Sequence, residues 1–309
     1  MDFLYIVTRM LMIFGIVVVG FAASKRGLWA GDLDRKLSVF ILNVSMPALV
    51  LASVMGEGLH FSGSDLLTMG YVSLLSYAML IGVAWLLPLL LHTPRSRTGL
   101  MRFMLAFGNV SFIGFSVCDA VFGEEGVFCA SVINIPFNLL IFTLGVAFIR
   151  GGSARSALAL RQVLSPCLVA SLVAVAIALT GWQPPRALGE WFHLLGDLTI
   201  PCALLIIGSS LSHIPVRDML GNRFVYVVVT LRLLVLPMAV CGLLWLCGAD
   251  PFVRNVAVVL SAMPVATNGI MFCLQYGGDE RVMTQGLFIS TLLSVATIPA
   301  IAFLLSLIG

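Results

Sequence analysis

Apolar runs separated by polar clusters divide the chain into ten stretches: near 4–23, 37–55, 66–91, 101–121 and 127–149, then 163–181, 194–213, 224–247, 253–276 and 283–307. Each comes close to or exceeds the ~20 residues that carry a helix across a bilayer, and each is about twice as long as a membrane strand. None has the strict period-two alternation of a transmembrane barrel strand. The pattern predicts an all-α polytopic membrane protein with ten transmembrane helices. The first stretch follows Asp2 with no basic run before it and contains Arg9. It also exceeds the ~7–15 apolar residues of a signal peptide, so it reads as a retained helix.

Composition supports this division. Of 309 residues, 60% are hydrophobic and 10% charged, against about 25% charged in a soluble domain, and mean hydropathy is +1.10. Ten spans leave only short connectors, with no room for a separate soluble domain. The net charge of +3 matters less than its placement. Connectors 1/2, 3/4, 5/6, 7/8 and 9/10 carry most of the basic residues, among them Lys25, Arg26, Arg35, Lys36, Arg95, Arg97, Arg102, Arg150, Arg155, Arg161, Arg217, Arg223 and Arg281, whereas the opposite face carries Arg186 and Arg254. The positive-inside rule makes the first face cytoplasmic and places both termini outside. Trp29, Trp182, Trp191 and Trp245 fall near span ends, as interfacial anchors do. The 7 cysteines lie in or beside apolar runs with no CxxC or Cys/His cluster, so they read as small hydrophobes rather than metal ligands.

The two halves repeat. FGEEG (122–126) and YGGDER (276–281) superpose at an offset of 155, which also places Gly114 on Gly269. NVSMPAL (43–49) and DLTIPCAL (197–204) match at 154, so Asn43 and Asp197 each stand four residues before a proline. Five spans is an odd number, so a second copy enters the membrane in the opposite sense. The chain is thus expected to be two inverted five-helix repeats, residues 1–150 and 151–309. Secondary transporters with inverted repeats place their sites near midplane, where interrupted helices meet.

The interruptions fall in spans 4 and 9. FGNVSFIGFS (107–116) and SAMPVATNGI (261–270) put Gly, Asn and hydroxyl residues mid-run, with Pro264 in the second. Proline removes a helical hydrogen bond and glycine eases unwinding, and such a break is tolerated only against protein or a water-lined cavity. Half-helix N-termini suit a carboxylate, and freed carbonyls suit a cation. Asn109, Ser111, Gly114, Pro264, Thr267, Asn268 and Gly269 are therefore the candidate substrate- or ion-binding positions. Their structural alternative is to satisfy the broken backbone or to join helices. Arg232 lies mid-run in span 8, about 13 Å along the helix. It either anchors a carboxylate or pairs with a structural acceptor. Asp197 either binds a cation or relays protons, or else N-caps span 7. Asn43 bonds across helices, and Asn134 and Asn138, one turn apart, either line the path or bridge to span 4.

No HExxH, GxSxG or GxxxxGK[ST] occurs, and His60, His92, His193 and His213 lie in connectors or at span ends, so an enzyme is not expected. Nor is a cofactor, a resident metal or a nucleic-acid partner.

GNVSFIG with the downstream FGEEG, NLLIFTLGVAFI (138–149) and SAMPVATNGIMFCLQYGGDE (261–280) resemble the auxin efflux carrier family, in its bacterial branch of malonate-type transporters. The resemblance covers nearly the whole chain. It implies broken helices 4 and 9 crossing at the substrate site, with Asn109 and Asn268 as crossover asparagines and Pro264 as the proline of the ninth helix. It further implies helices 1, 2, 6 and 7 as a scaffold that often dimerises, and helices 3–5 and 8–10 as a moving bundle. Ser116 departs from the proline common after the fourth-helix glycine, so Gly114 would have to permit the crossing. The expected function is secondary transport of a small organic anion by alternating access, with H+ or Na+ as a possible coupling ion. The alternatives are a cation-coupled symporter of bile-acid-carrier type and a membrane sensor or channel.

Overall fold

The computed structural model describes residues 3–28, 32–55, 62–151, 165–182, 184–213 and 223–308. Trp29, His60, Arg155, Arg161 and Arg217 lie outside them. The described elements are all helical, apart from one isolated antiparallel bridge between Gly108 and Val265. In order they are α1 (Phe3–Lys25), α2 (Leu33–Phe40), α3 (Met46–Ala52), α4 (Gly63–Leu90), α5 (Arg95–Ala106), α6 (Phe115–Ile133), α7 (Ile135–Leu140), α8 (Val146–Ile149), α9 (Pro166–Thr180), α10 (Arg186–Gly196), α11 (Thr199–Ser212), α12 (Arg223–Thr230), α13 (Leu236–Leu246), α14 (Pro251–Ser261), α15 (Asn268–Tyr276) and α16 (Glu280–Ile308).

Among the described residues, six runs are long and apolar enough to cross a membrane: Leu33–Ala52, Gly63–Leu90, Val110–Ile149, Arg186–Ser212, Arg223–Leu246 and Glu280–Ile308. Large apolar side chains stay exposed along them, among them Leu67, Leu74, Leu86, Leu89, Val235 and Leu292. Water would not tolerate such a surface, and lipid favours it. The chain is a multi-pass membrane protein.

The chain divides into two units. The first comprises Met1–Tyr71, Ser111–Ile135 and Leu164–His213. Its centre is α1 against α11, where glycines bring two backbones together. A Cβ on Gly20 would meet the Leu205 backbone, with Cα at 2.8 Å, and one on Gly208 would meet Val17 O and the Phe21 N at 2.7 Å. Small residues permit this approach where lipid supplies no hydrophobic drive between helices. Ser212 Oγ and Ser24 Oγ are 2.6 Å apart, and Ser209 Oγ donates to Asp34 at 2.9 Å. α3 packs against α9 and α10, where Gly196 lies against the Leu49 backbone.

The seventh run starts earlier than its hydropathy suggests. Arg186, Glu190 and His193 form one stripe at helical spacing, so a linear reading takes them for a connector, yet they belong to α10, and Asp197, next along the stripe, stands at its C-cap. Arg186 and Glu190 pair at 3.0 Å, i to i+4, and both are exposed, while Gly189 and Gly196 are buried. Asp197 does not N-cap the following helix. It ends α10, its N–H donates to His193 O at 2.9 Å, it is exposed, and Leu198 stands at the N-cap of α11. Between α2 and α3, a π-helical turn at Ile41–Ser45 closes with Met46 N–H on Ile41 O, directly before Pro47. The proline has no N–H to give and crowds the preceding turn, which widens. Asn43 lies in that turn and donates Nδ2 to Val39 O at 2.7 Å, within its own helix rather than across helices. The FGEEG connector shrinks to a kink inside α6 at Gly123, whose φ of 69° and ψ of −160° suit glycine.

The second unit comprises Val72–Val110, Pro136–Val163 and Ile214–Gly309. Its core is aromatic. Phe103 stacks near Phe107 (5.3 Å) and edge-on to Phe272 (5.9 Å), and Phe107 meets Phe137 at 5.9 Å. Basic residues of the face assigned to the cytoplasm lie over rings: Arg102 on Trp85 at 3.8 Å, Arg150 on Tyr276 at 4.3 Å and Arg97 on Phe224 at 5.4 Å.

Candidate functional site

Two helices of the second unit stop mid-run and meet. α5 ends at Ala106, and Phe107 is extended (φ −115°, ψ 116°). A π-helical segment, Val110–Gly114, leads on into α6. α14 ends at Ser261, and residues 262–267 intervene before α15 begins at Asn268. The two non-helical stretches pair as a short antiparallel bridge. Asn109 N–H donates to Pro264 O at 2.7 Å and Ala266 N–H donates to Phe107 O at 3.1 Å.

A break inside an apolar core has to place every freed backbone group, and here most of the partners are visible. Phe107 N–H returns to Phe103 O and Val110 N–H to Gly108 O. Val265 N–H donates to Ser290 Oγ of α16 at 3.0 Å, and that hydroxyl in turn donates to Leu287 O. Pro264 has no N–H to satisfy, so it suits the centre of the break.

Two carbonyls at the C-terminal ends of the half-helices are taken by one side chain. Arg232 donates Nη1 to Leu105 O at 2.7 Å and Nε to Met263 O at 3.1 Å. It is only 1% exposed. Its helix also makes a π-turn, Leu231–Val235, closed by Leu236 N–H on Leu231 O directly before Pro237. That is the arrangement seen before Pro47. Gly108 completes the contact, since a Cβ there would run into Nη2 and stand 3.2 Å from both Cζ and Met263 O.

The first crossing point therefore lies at Phe107–Asn109, upstream of Gly114. Gly114 has helical angles (φ −60°, ψ −49°) and does not open the chain. Asn109 is buried opposite Pro264, and Thr267, Asn268 and Gly269 follow Pro264 at the start of α15, with Thr267 and Asn268 half-buried. Thr267 stands at the N-cap of α15 and makes no side-chain cap bond. Gly269 is a packing position, where a Cβ would meet Phe103 Cε1 and Met283 Sδ, both at 2.6 Å. Ser111 and Gly114 group with the first unit, as do Asn43, Asn134 and Asp197, whereas Asn138 and Arg232 group with the second. Asn134 caps the end of α6 and is buried. Arg254, which the charge pattern assigns to the outer face at the start of the ninth run, is buried in the first turns of α14 with Nε 3.3 Å from Asn255 Oδ1. Sequence reasoning missed Gly108 and Ser290, and the glycine beside Asn109 was the available signal. Among the described residues no group of three or more His, Cys, Asp or Glu could hold a metal ion.

The sequence profile described as "Membrane transport protein" matches residues 5–159 and 153–302, almost the full chain. The chain belongs to the auxin efflux carrier family. Similar members of this family include a protein of Rhizobium meliloti (strain 1021) named as a candidate malonate transporter, 26% identical over 303 residues, covering 94% of this chain and 93% of that one. An uncharacterized transporter of Methanothermobacter thermautotrophicus is 24% identical, covering 92% and 93%. The mouse lysosomal cholesterol signaling protein is 23% identical over 95% of this chain but only 36% of its own length.

Proposed function

We propose that this auxin efflux carrier family member is a secondary active transporter of a small organic anion, a mono- or dicarboxylate, working by alternating access. The observation that carries the reading is the hydrogen-bonded pair of breaks at Phe107–Asn109 and Pro264–Ala266. Both places where helix restarts, after Asn109 and at Asn268, point N–H donors and partial positive charge toward the crossing, which suits a carboxylate. The asparagine amides add neutral donors without a buried charge. The name of the Rhizobium relative agrees with a dicarboxylate of that kind.

On this reading the ten apolar runs are ten spans in two inverted repeats, residues 1–150 and 151–309. Contacts of α1 with α11 and of α9 with α3 support it, because a two-fold that exchanges the repeats turns the first pairing into the second. The matched prolines, Pro47 and Pro201, sit after a π-turn and a helix break respectively. Helices 1, 2, 6 and 7 form the scaffold, which pairs with a second copy in the bilayer, and helices 3–5 and 8–10 form the moving bundle. The protein lies in the bacterial inner membrane, both termini outside, and acts as a carrier rather than an enzyme.

The test is uptake or counterflow of labelled malonate and of monocarboxylates in proteoliposomes. Asn109→Ala and Asn268→Ala should each abolish flux while expression and melting temperature stay near wild type. Full flux in both variants would reject the site. The likeness to a signaling protein favours one second reading, a sensor that binds at the crossover without transport. It would bind the anion in a thermal-shift assay and show no counterflow.

A further inference from the structure

We propose that Arg232 is a tethered cation: its guanidinium fills the carbonyl-lined position at the crossover that a coupling sodium ion would otherwise occupy, so transport needs no sodium. The proposal rests on the carrier reading, and deepens it by assigning the ion dependence.

Breaking two helices frees carbonyls at two C-terminal ends, each carrying a partial negative charge. A mobile cation or a fixed one can answer them. Here Nη1 and Nε already hold Leu105 O, in the last turn of α5, and Met263 O, just past the end of α14. A guanidinium is never deprotonated in a protein and offers its donors in a rigid fork, so one group reaches both chains at once. A charge this deeply buried usually requires an acidic partner, yet among the described residues the ion pairs involve Arg186, His193 and His213, not Arg232. The backbone serves as its counter-charge. Two sequence choices keep it there: the π-turn before Pro237 aims the side chain, and the missing Cβ at Gly108 leaves room for Nη2. A role as substrate anchor fits less well, because two of its three nitrogens are committed to backbone and the third faces Gly108.

The test uses purified full-length protein, compared in sodium chloride and choline chloride at equal ionic strength, with low-millimolar guanidinium chloride as the probe. Wild-type melting temperature and anion counterflow should be the same in both salts, and added guanidinium should not stabilise the wild type. Arg232→Ala should lower the melting temperature by about 5 °C or more, and guanidinium should restore at least half of that loss. Arg232→Lys, which keeps the charge but not the fork, should fall between. Sodium stabilisation of the wild type, flux that fails in choline, or guanidinium acting equally on wild type and variant each overturns the proposal. Should Arg232→Ala not fold, the wild-type salt comparison and guanidinium rescue of Arg232→Lys decide. Rescue without transport of any anion would keep Arg232 as the crossover cation and reject the carrier reading instead.

Discussion

Gly108→Ala probes the crossover with one methyl group. The position has no positive φ among the glycines that do, so an alanine meets no backbone strain. In an ordinary site it would gain about 0.4–1 kcal/mol through the unfolded chain. The surroundings reverse the sign. The new Cβ would collide with Arg232 Nη2 and stand 3.2 Å from Cζ and from Met263 O. The guanidinium has to shift, and it cannot do so while holding Leu105 O at 2.7 Å and Met263 O at 3.1 Å. Hydrogen bonds to a charged group contribute about 1.5–3 kcal/mol each. Losing one or both, offset by the alanine gain, gives a net destabilisation of about 1–5 kcal/mol. Thermal unfolding in detergent should show this as a clear fall in melting temperature. A double-mutant cycle then isolates the cause. In an Arg232→Ala background the methyl meets no guanidinium, so its penalty should shrink by at least about 1 kcal/mol. A Gly108→Ala protein as stable as wild type, or a penalty of equal size in both backgrounds, would refute the account of the crossover.

Ser290→Ala removes the acceptor of Val265 N–H at 3.0 Å and should cost about 1–3 kcal/mol, read as a lower melting temperature and faster amide exchange at Val265. Unchanged exchange there would mean that another acceptor serves the break. On α1, Gly15→Ala and Gly20→Ala form a matched pair. Nothing lies within 4 Å of a Cβ at Gly15, whereas one at Gly20 meets the Leu205 backbone. The first should be neutral or stabilising by up to about 1 kcal/mol, and the second destabilising by roughly 1–3 kcal/mol. Equal effects in thermal denaturation would contradict the close packing of α1 on α11.

How much of this was legible in the sequence depends on whether a feature is written in side chains. The breaks were: glycine, asparagine and proline in the middle of apolar runs mark 107–116 and 261–270, and the chain opens within both. The start of the seventh run was not. Hydropathy sums polar residues along the chain, whereas α10 sorts Arg186, Glu190 and His193 onto one stripe and buries Gly189 and Gly196 on another. The sequence repeat pairs Gly114 with Gly269. The chain instead opens at Gly108, because what matters there is the space required by a side chain more than a hundred residues away. The partner of Arg232 was hardest to foresee. A mid-span arginine directs the search to an acid, but its acceptors are the backbone oxygens of Leu105 and Met263, which become available only because those helices break. Two mid-run breaks and one mid-run arginine in the same chain are, taken together, the signal that each lacks alone.

That combination also bears on charge at the proposed site. Each helix end carries about half an elementary charge, positive at the N-terminus and negative at the C-terminus. Four ends flank the paired breaks along the chain: the C-terminal ends of α5 and α14, and the N-terminal ends of the segments that restart after Asn109 and at Asn268. Without Arg232 these sum to about zero, and a carboxylate entering there would need a cation to accompany it. With the guanidinium holding both C-terminal ends, about one positive charge remains, concentrated at the two N-terminal ends. Thr267 makes no side-chain cap bond at the second of these ends. On the proposed reading the carboxylate of the substrate answers that charge, and the cation that balances the anion is already part of the chain.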